Sequence, residues 1–185
     1  MIKLSLKLNK TAFELIVEEM KPLSQILYED LQVDIPIRKC ENNIYRNSLA
    51  ILDNEPVLSS LIPAFKLQGK TITTFNAFMQ TAHYRNIRRT YDSLNIEPCP
   101  NCYQTTTLII ESLLLKAKTK RLDNKMDDFS KKFLTKALEE DSKKQIDFNS
   151  AEKEFSINPC NCLTSQELYT ILLKALEDRI KRRVL

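Results

Sequence analysis

The chain reads as an α+β protein in which a small strand-rich half precedes an all-helical one. Three observations point there. Residues 2–17 alternate apolar and polar side chains, the signature of half-buried strands. From Asn76 onward the apolar spacing lengthens to that of helices. Four of the five cysteines form two tight pairs, Cys99-Pro-Asn-Cys102 and Cys160-Asn-Cys162, and both pairs lie in the helical part.

Ile2, Leu4, Leu6 and Leu8 share one face of the first strand, with Lys3, Ser5 and Lys7 on the other. Asn9-Lys10 can turn the chain, and Phe13, Leu15 and Val17 repeat the alternation, which makes a hairpin. Pro22 opens a helix carrying Leu23, Ile26, Leu27 and Leu31. Two strands and a crossing helix are how a β-grasp, ferredoxin-like unit begins. Leu49, Ile51, the Asp53-Asn54-Glu55 turn and Val57 predict a second hairpin. Ala64-Phe65, the Gln68-Gly69-Lys70 turn and Ile72 are expected to complete the sheet, with a boundary near Phe75.

Phe78, Ala82, Ile87, Tyr91 and Leu94 predict one helix; Leu108, Ile109, Leu113, Leu114 and Ala117 predict a longer, more buried one. A charged stretch follows, in which Met126, Phe129, Phe133, Leu134, Ala137 and Leu138 mark an amphipathic helix. Thr164 with Glu167 forms a capping-box pattern ahead of a helix striped by Leu168, Ile171, Leu172, Ala175, Leu176 and Ile180. The expected units are therefore a β-grasp domain over residues 1–75 and a helical-bundle domain over residues 76–185, with a charged insertion around residues 118–155.

With 185 residues, 43% hydrophobic and 28% charged, the chain is long and apolar enough to bury a core. It has no apolar run of about 20 residues and no secretory leader pattern, so a cytoplasmic location with reduced thiols is expected. The formal net charge of +4, with acids and bases interspersed, does not argue for nucleic acid. The single glycine, Gly69, excludes a glycine-rich phosphate loop. Turns needing left-handed backbone fall to asparagine, with Asn42, Asn43, Asn54 and Asn95 so placed. His83 is the only histidine and reads as a helix-face residue with no partner to orient it, so no Ser–His–Asp or Cys–His arrangement is credible. Arg85, Arg88 and Arg89 with Tyr84 and Tyr91 read as a solvated helix face.

Two pairs of closely spaced thiolates supply the four sulfurs that a 2Fe–2S cluster or a tetrahedral zinc ion requires. An empty site and, least of all, a disulfide complete the alternatives. Cys102 and Cys162 each precede a helix, where amide donors favour the thiolate form.

The chain resembles the small iron–sulfur subunit of the xanthine dehydrogenase and carbon monoxide dehydrogenase group, the molybdenum hydroxylases. The resemblance rests on Pro22-Leu23, Leu52-Asp53, the segment from Ser59 through Ile62-Pro63-Ala64-Phe65 to Gly69-Lys70-Thr71-Ile72-Thr73-Thr74, and the paired cysteines. It implies a ferredoxin-like domain followed by a helical bundle, each with one 2Fe–2S cluster. It also implies partner subunits that hold the molybdenum cofactor and a flavin (FAD). The second site keeps its ligands, Cys99, Cys102, Cys160 and Cys162. The first does not: Cys40 aligns with one ligand, and Tyr45, Ser48 and Ser60 stand where the others belong, so that cluster is expected to be absent. Around the second site, Pro98, Pro100-Asn101 and Asn161 replace the family's usual residues, and an insertion stretches the distance between the two pairs. The role implied is one-electron transfer inside a larger complex, with a purely structural or assembly subunit and a zinc-stabilised binding module as alternatives.

Overall fold

The computed structural model describes residues 1–33, 49–117, 146–158, 160 and 162–184. Cys40, Tyr45 and Ser48, and the helix expected from Met126 to Leu138, lie outside those residues.

Strands β1 (Ile2–Leu8) and β2 (Thr11–Val17) pair antiparallel, with Leu8 opposite Thr11. Asn9 (φ 50°) and Lys10 (φ 80°) both adopt left-handed backbone, the conformation a tight two-residue hairpin demands. Leu4, Leu6 and Leu8 are buried while Lys3 and Lys7 are exposed, so the alternation expected from sequence is the one that forms. Helix α1 (Leu23–Gln25) starts directly after Pro22 and continues as a wider π-helical turn, Ile26–Asp30. Leu23, Ile26 and Leu27 are wholly buried beneath it.

Strands β3 (Leu49–Leu52) and β4 (Glu55–Leu58) form the second hairpin, turned by Asp53 (φ 47°) and Asn54 (φ 74°). Strand β5 (Thr71–Thr73) runs parallel to β1 and antiparallel to β3, which gives a five-stranded sheet of order β2-β1-β5-β3-β4. Ala64-Phe65 departs from expectation. It belongs to a 3₁₀ turn, Ala64–Leu67, whose two ends are buried, because three-residue spacing brings positions i and i+3 to the same side.

The helical part comprises α2 (Phe75–Met79), α3 (Ala82–Leu94), α4 (Tyr103–Lys116), α5 (Phe148–Phe155) and α6 (Ser165–Val184) among the described residues. The single helix expected through Phe78 and Leu94 is broken at Gln80-Thr81. There Thr81 Oγ1 donates to the Phe78 carbonyl (2.7 Å) and accepts from the Tyr84 amide (3.1 Å), ending one helix and capping the next. Asn95 (φ 51°) closes α3 in left-handed backbone.

Helix α4 is buried continuously from Thr105 to Leu114, so it forms the axis around which the other helices pack. It also joins the helices to the sheet. Ser112 Oγ donates to the Asn54 carbonyl (2.5 Å), and Lys116 bridges Glu55 (2.6 Å) and Glu154. Strand β3 lies between two cores: Leu49 and Ile51 pack with the helices, while Ala50 packs with β1, β5 and α1. The period-two alternation of a strand thus serves both halves from one segment.

Candidate metal centre

The loop entering α4 is a tight turn. Pro100 supplies a fixed φ at its second position, and the amides of Cys102 (2.9 Å) and Tyr103 (3.0 Å) both donate to the Cys99 carbonyl. The Cys102 carbonyl then accepts from Thr106 (2.8 Å), so α4 starts at the second cysteine. This places both sulfurs near the positive end of a 14-residue helix.

The second pair arrives from the other side. Cys160 lies between α5 and α6, and Cys162 stands just ahead of the cap of α6. That cap is the reciprocal arrangement expected from sequence: the Glu167 amide donates to Thr164 Oγ1 (3.2 Å) and the Thr164 amide donates to the Glu167 carboxylate (2.8 Å). Asn158 Nδ2 donates to Thr106 Oγ1 (3.2 Å), holding the approach of the second pair against α4.

The four sulfurs converge. Sγ atoms of Cys99, Cys102, Cys160 and Cys162 all lie within 4.8 Å of one another, and Cys99 and Cys160 are 4.0 Å apart. Cys102 is buried, Cys99 and Cys160 are half-buried, and Cys162 is exposed, so the centre is solvent-accessible on one side. Next to Cys102 in the chain, Tyr103 turns into the helical core, packing against Tyr91 (5.7 Å between ring centres) and Phe75 (6.2 Å).

The thiols differ in acidity. Burial raises the Cys99 thiol, but hydrogen bonds from the side chain and backbone of Cys102, then from Cys162 and the Asn101 amide, outweigh it and bring it down to about 7. Burial, with the neighbouring Cys160 second, pushes Cys102 well above the ordinary thiol value. Burial raises Cys162 as well. A cation at the centre would reverse the last two shifts, since coordinated thiols are deprotonated.

Four thiolates fit, as donors, both a structural zinc ion and a 2Fe–2S cluster. Their spacing is nearer to that of a single ion. Metal–sulfur bonds of about 2.3 Å in a tetrahedron set sulfur–sulfur edges of about 3.8 Å. A two-iron cluster separates the thiolates on different irons more widely than this 4.8 Å cage does, and of the four cysteines Cys162 is the exposed one.

His83 is not the isolated side chain its sequence surroundings imply. Its Nδ1 lies 2.8 Å from Glu111 Oε1, and Arg179 donates to Glu111 Oε2 at 2.6 Å. Glu111 and Arg179 are both buried, and this ion pair joins α4 to α6 with α3 attached through the imidazole. The signal was a single carboxylate within an otherwise apolar helix pattern, whose partners lie 28 and 68 residues away in the chain.

The geometry invites comparison with known proteins. Quinoline 2-oxidoreductase from Pseudomonas putida 86 aligns over 98% of this chain and 96% of its own, with a TM-score of 0.60 and 16% identity. The aldehyde oxidoreductase from Desulfovibrio desulfuricans ATCC 27774 aligns over 98% of this chain (TM-score 0.58, 17% identity). That from Desulfovibrio gigas aligns over 95% (TM-score 0.58, 16% identity). The chain shares their fold. It spans 17% of the length of each aldehyde oxidoreductase, whereas it spans nearly all of the quinoline 2-oxidoreductase chain it matches. No family model matches the sequence, and no curated protein matches it. No helix among the described residues is long and apolar enough to cross a membrane.

Proposed function

We propose that this chain is an electron-transfer iron–sulfur subunit of a molybdenum-hydroxylase-like oxidoreductase, carrying one 2Fe–2S cluster on Cys99, Cys102, Cys160 and Cys162. The observation that carries the reading is the gathering of an all-thiolate set of four donors at the start of α4, the donor set such a cluster requires. Likeness of fold to oxidoreductases over 98% of the chain supports it. On this reading residues 1–75 form a β-grasp domain, in keeping with the strand order, and residues 76–185 a helical-bundle domain with an inserted segment around residues 118–155.

Such a cluster supplies reversible one-electron storage when bound. The chain's own contribution is to hold four thiolates and present helix-start amides to their charge. The molybdenum cofactor and FAD belong to partner subunits in the cytoplasm. Exposed apolar side chains that such a partner would cover lie near the β2–α1 junction, where Met20, Leu61 and Phe65 are 71%, 61% and 45% exposed. The amide of Phe65 bonds the Glu19 carbonyl (3.2 Å), which brings Phe65 beside Met20.

The test is substitution within the assembled complex. Cys99→Ser and Cys160→Ser should each abolish bound iron and the complex's turnover. Full turnover without bound iron would leave only a structural or assembly role. A second reading has one observation in its favour: the compact sulfur cage suits a single zinc ion in a binding module. Stoichiometric zinc without acid-labile sulfide would establish that instead.

A further inference from the structure

A second concavity lies apart from the cysteines. A cleft of about 680 Å³ opens between the sheet and the helices, and none of the four cysteines lines it. Its volume falls within the range of small-molecule sites, about 300–1,000 Å³, and a junction between packed units is where such sites concentrate. Glu111, on its wall, stands nine residues beyond Cys102 on the same helix, roughly 13 Å along the axis.

We propose that this cleft binds a small organic monocarboxylate: one anionic head on an apolar body. The charges on the wall select the head. Two acids line the cleft and both are already neutralised. Asp53 pairs with Lys70 (2.8 Å) and accepts the Thr71 amide (2.8 Å); Glu111 is held by Arg179 (2.6 Å) and His83 (2.8 Å). Lys10 also lines it, and its ammonium has no ion-pair partner among the described residues. The local balance therefore leaves one uncompensated positive charge. Thr73 adds a hydroxyl without a hydrogen-bond partner among the described residues.

The rest of the wall selects the body. Ile51, Phe78 and Leu115 give the cleft an apolar floor, which repays desolvation of a hydrocarbon or aromatic group. A phosphate dianion fits poorly, for it would need more than one cation or a nest of amides. A cation would meet no free carboxylate. The imidazole of His83 forms part of the wall with Nδ1 fixed on Glu111, which makes the ring a stationary reporter.

The experiment uses the full chain as purified and benzoate as probe. One histidine in 185 residues yields one set of imidazole NMR signals. Benzoate should shift them saturably, while benzamide and inorganic phosphate should not. Lys10→Asn removes the charge yet suits the left-handed backbone at φ 80°, so the hairpin is retained. It should weaken benzoate about fivefold, the scale of an exposed ion pair, whereas Lys10→Arg should preserve binding. Absence of a saturable shift, equal response to benzamide, or unchanged affinity in Lys10→Asn would each overturn the proposal. The readout is independent of metal at the cysteine centre, so its failure leaves the redox reading untouched.

Discussion

Cys99 and Cys102 share one turn yet titrate in opposite directions. In metal-free protein, iodoacetamide should modify Cys99 with a midpoint near pH 7, and Cys102 should resist up to much higher pH. The sign for stability follows: the Cys99 thiolate favours the fold above its ordinary value of 9.0, and that contribution is lost as pH falls through about 7. A Cys99 midpoint near 9 would show that its neighbours donate nothing. Glu111 gives a second expectation. Glu111→Gln leaves Arg179 charged, buried and unpaired, and should cost about 3–5 kcal/mol in chemical denaturation; Glu111→Leu with Arg179→Leu should recover most of it. A loss under about 1 kcal/mol in the single variant would mean that the buried ion pair is compensated elsewhere. The sulfur quartet was legible in sequence because paired cysteines two or three residues apart announce themselves. The Glu111–Arg179–His83 trio was not, because its members meet only through helix packing.

The elements were legible wherever local chemistry set them. Both hairpins turn on the expected residues, and Thr164 with Glu167 caps α6 as the sequence spells it. Thr164→Ala should cost about 1 kcal/mol in unfolding free energy, and it should also weaken metal retention, because the cap anchors the strand of chain bearing Cys162. Unchanged metal affinity would separate the cap from the centre. Gly69 sits at φ +71° with open space around it. Gly69→Ala should therefore cost about 1–2 kcal/mol through backbone strain alone, and a neutral result would contradict that. Sequence reasoning failed where two patterns overlap. Ala64-Phe65 looked extended but packs as a 3₁₀ turn, and the apolar spacing through Phe78 and Ala82 hides the break that Thr81 makes.

The two cores meet at β3, and α4 reaches from the hairpin to the cysteine turn. The fold thus links sheet, helices and sulfurs through one buried axis, which is why the α+β character could be read early while the docking of the halves could not. Contacts such as Ser112 to Asn54 pair residues 58 positions apart, and no periodicity reports them. Metal and labile-sulfide analysis of the anaerobically purified chain, read beside its visible spectrum, decides what the quartet holds. The account predicts a red-brown protein with two irons and two sulfides per chain, all lost in Cys99→Ser. A colourless chain that binds neither iron nor sulfide, though folded, would contradict it.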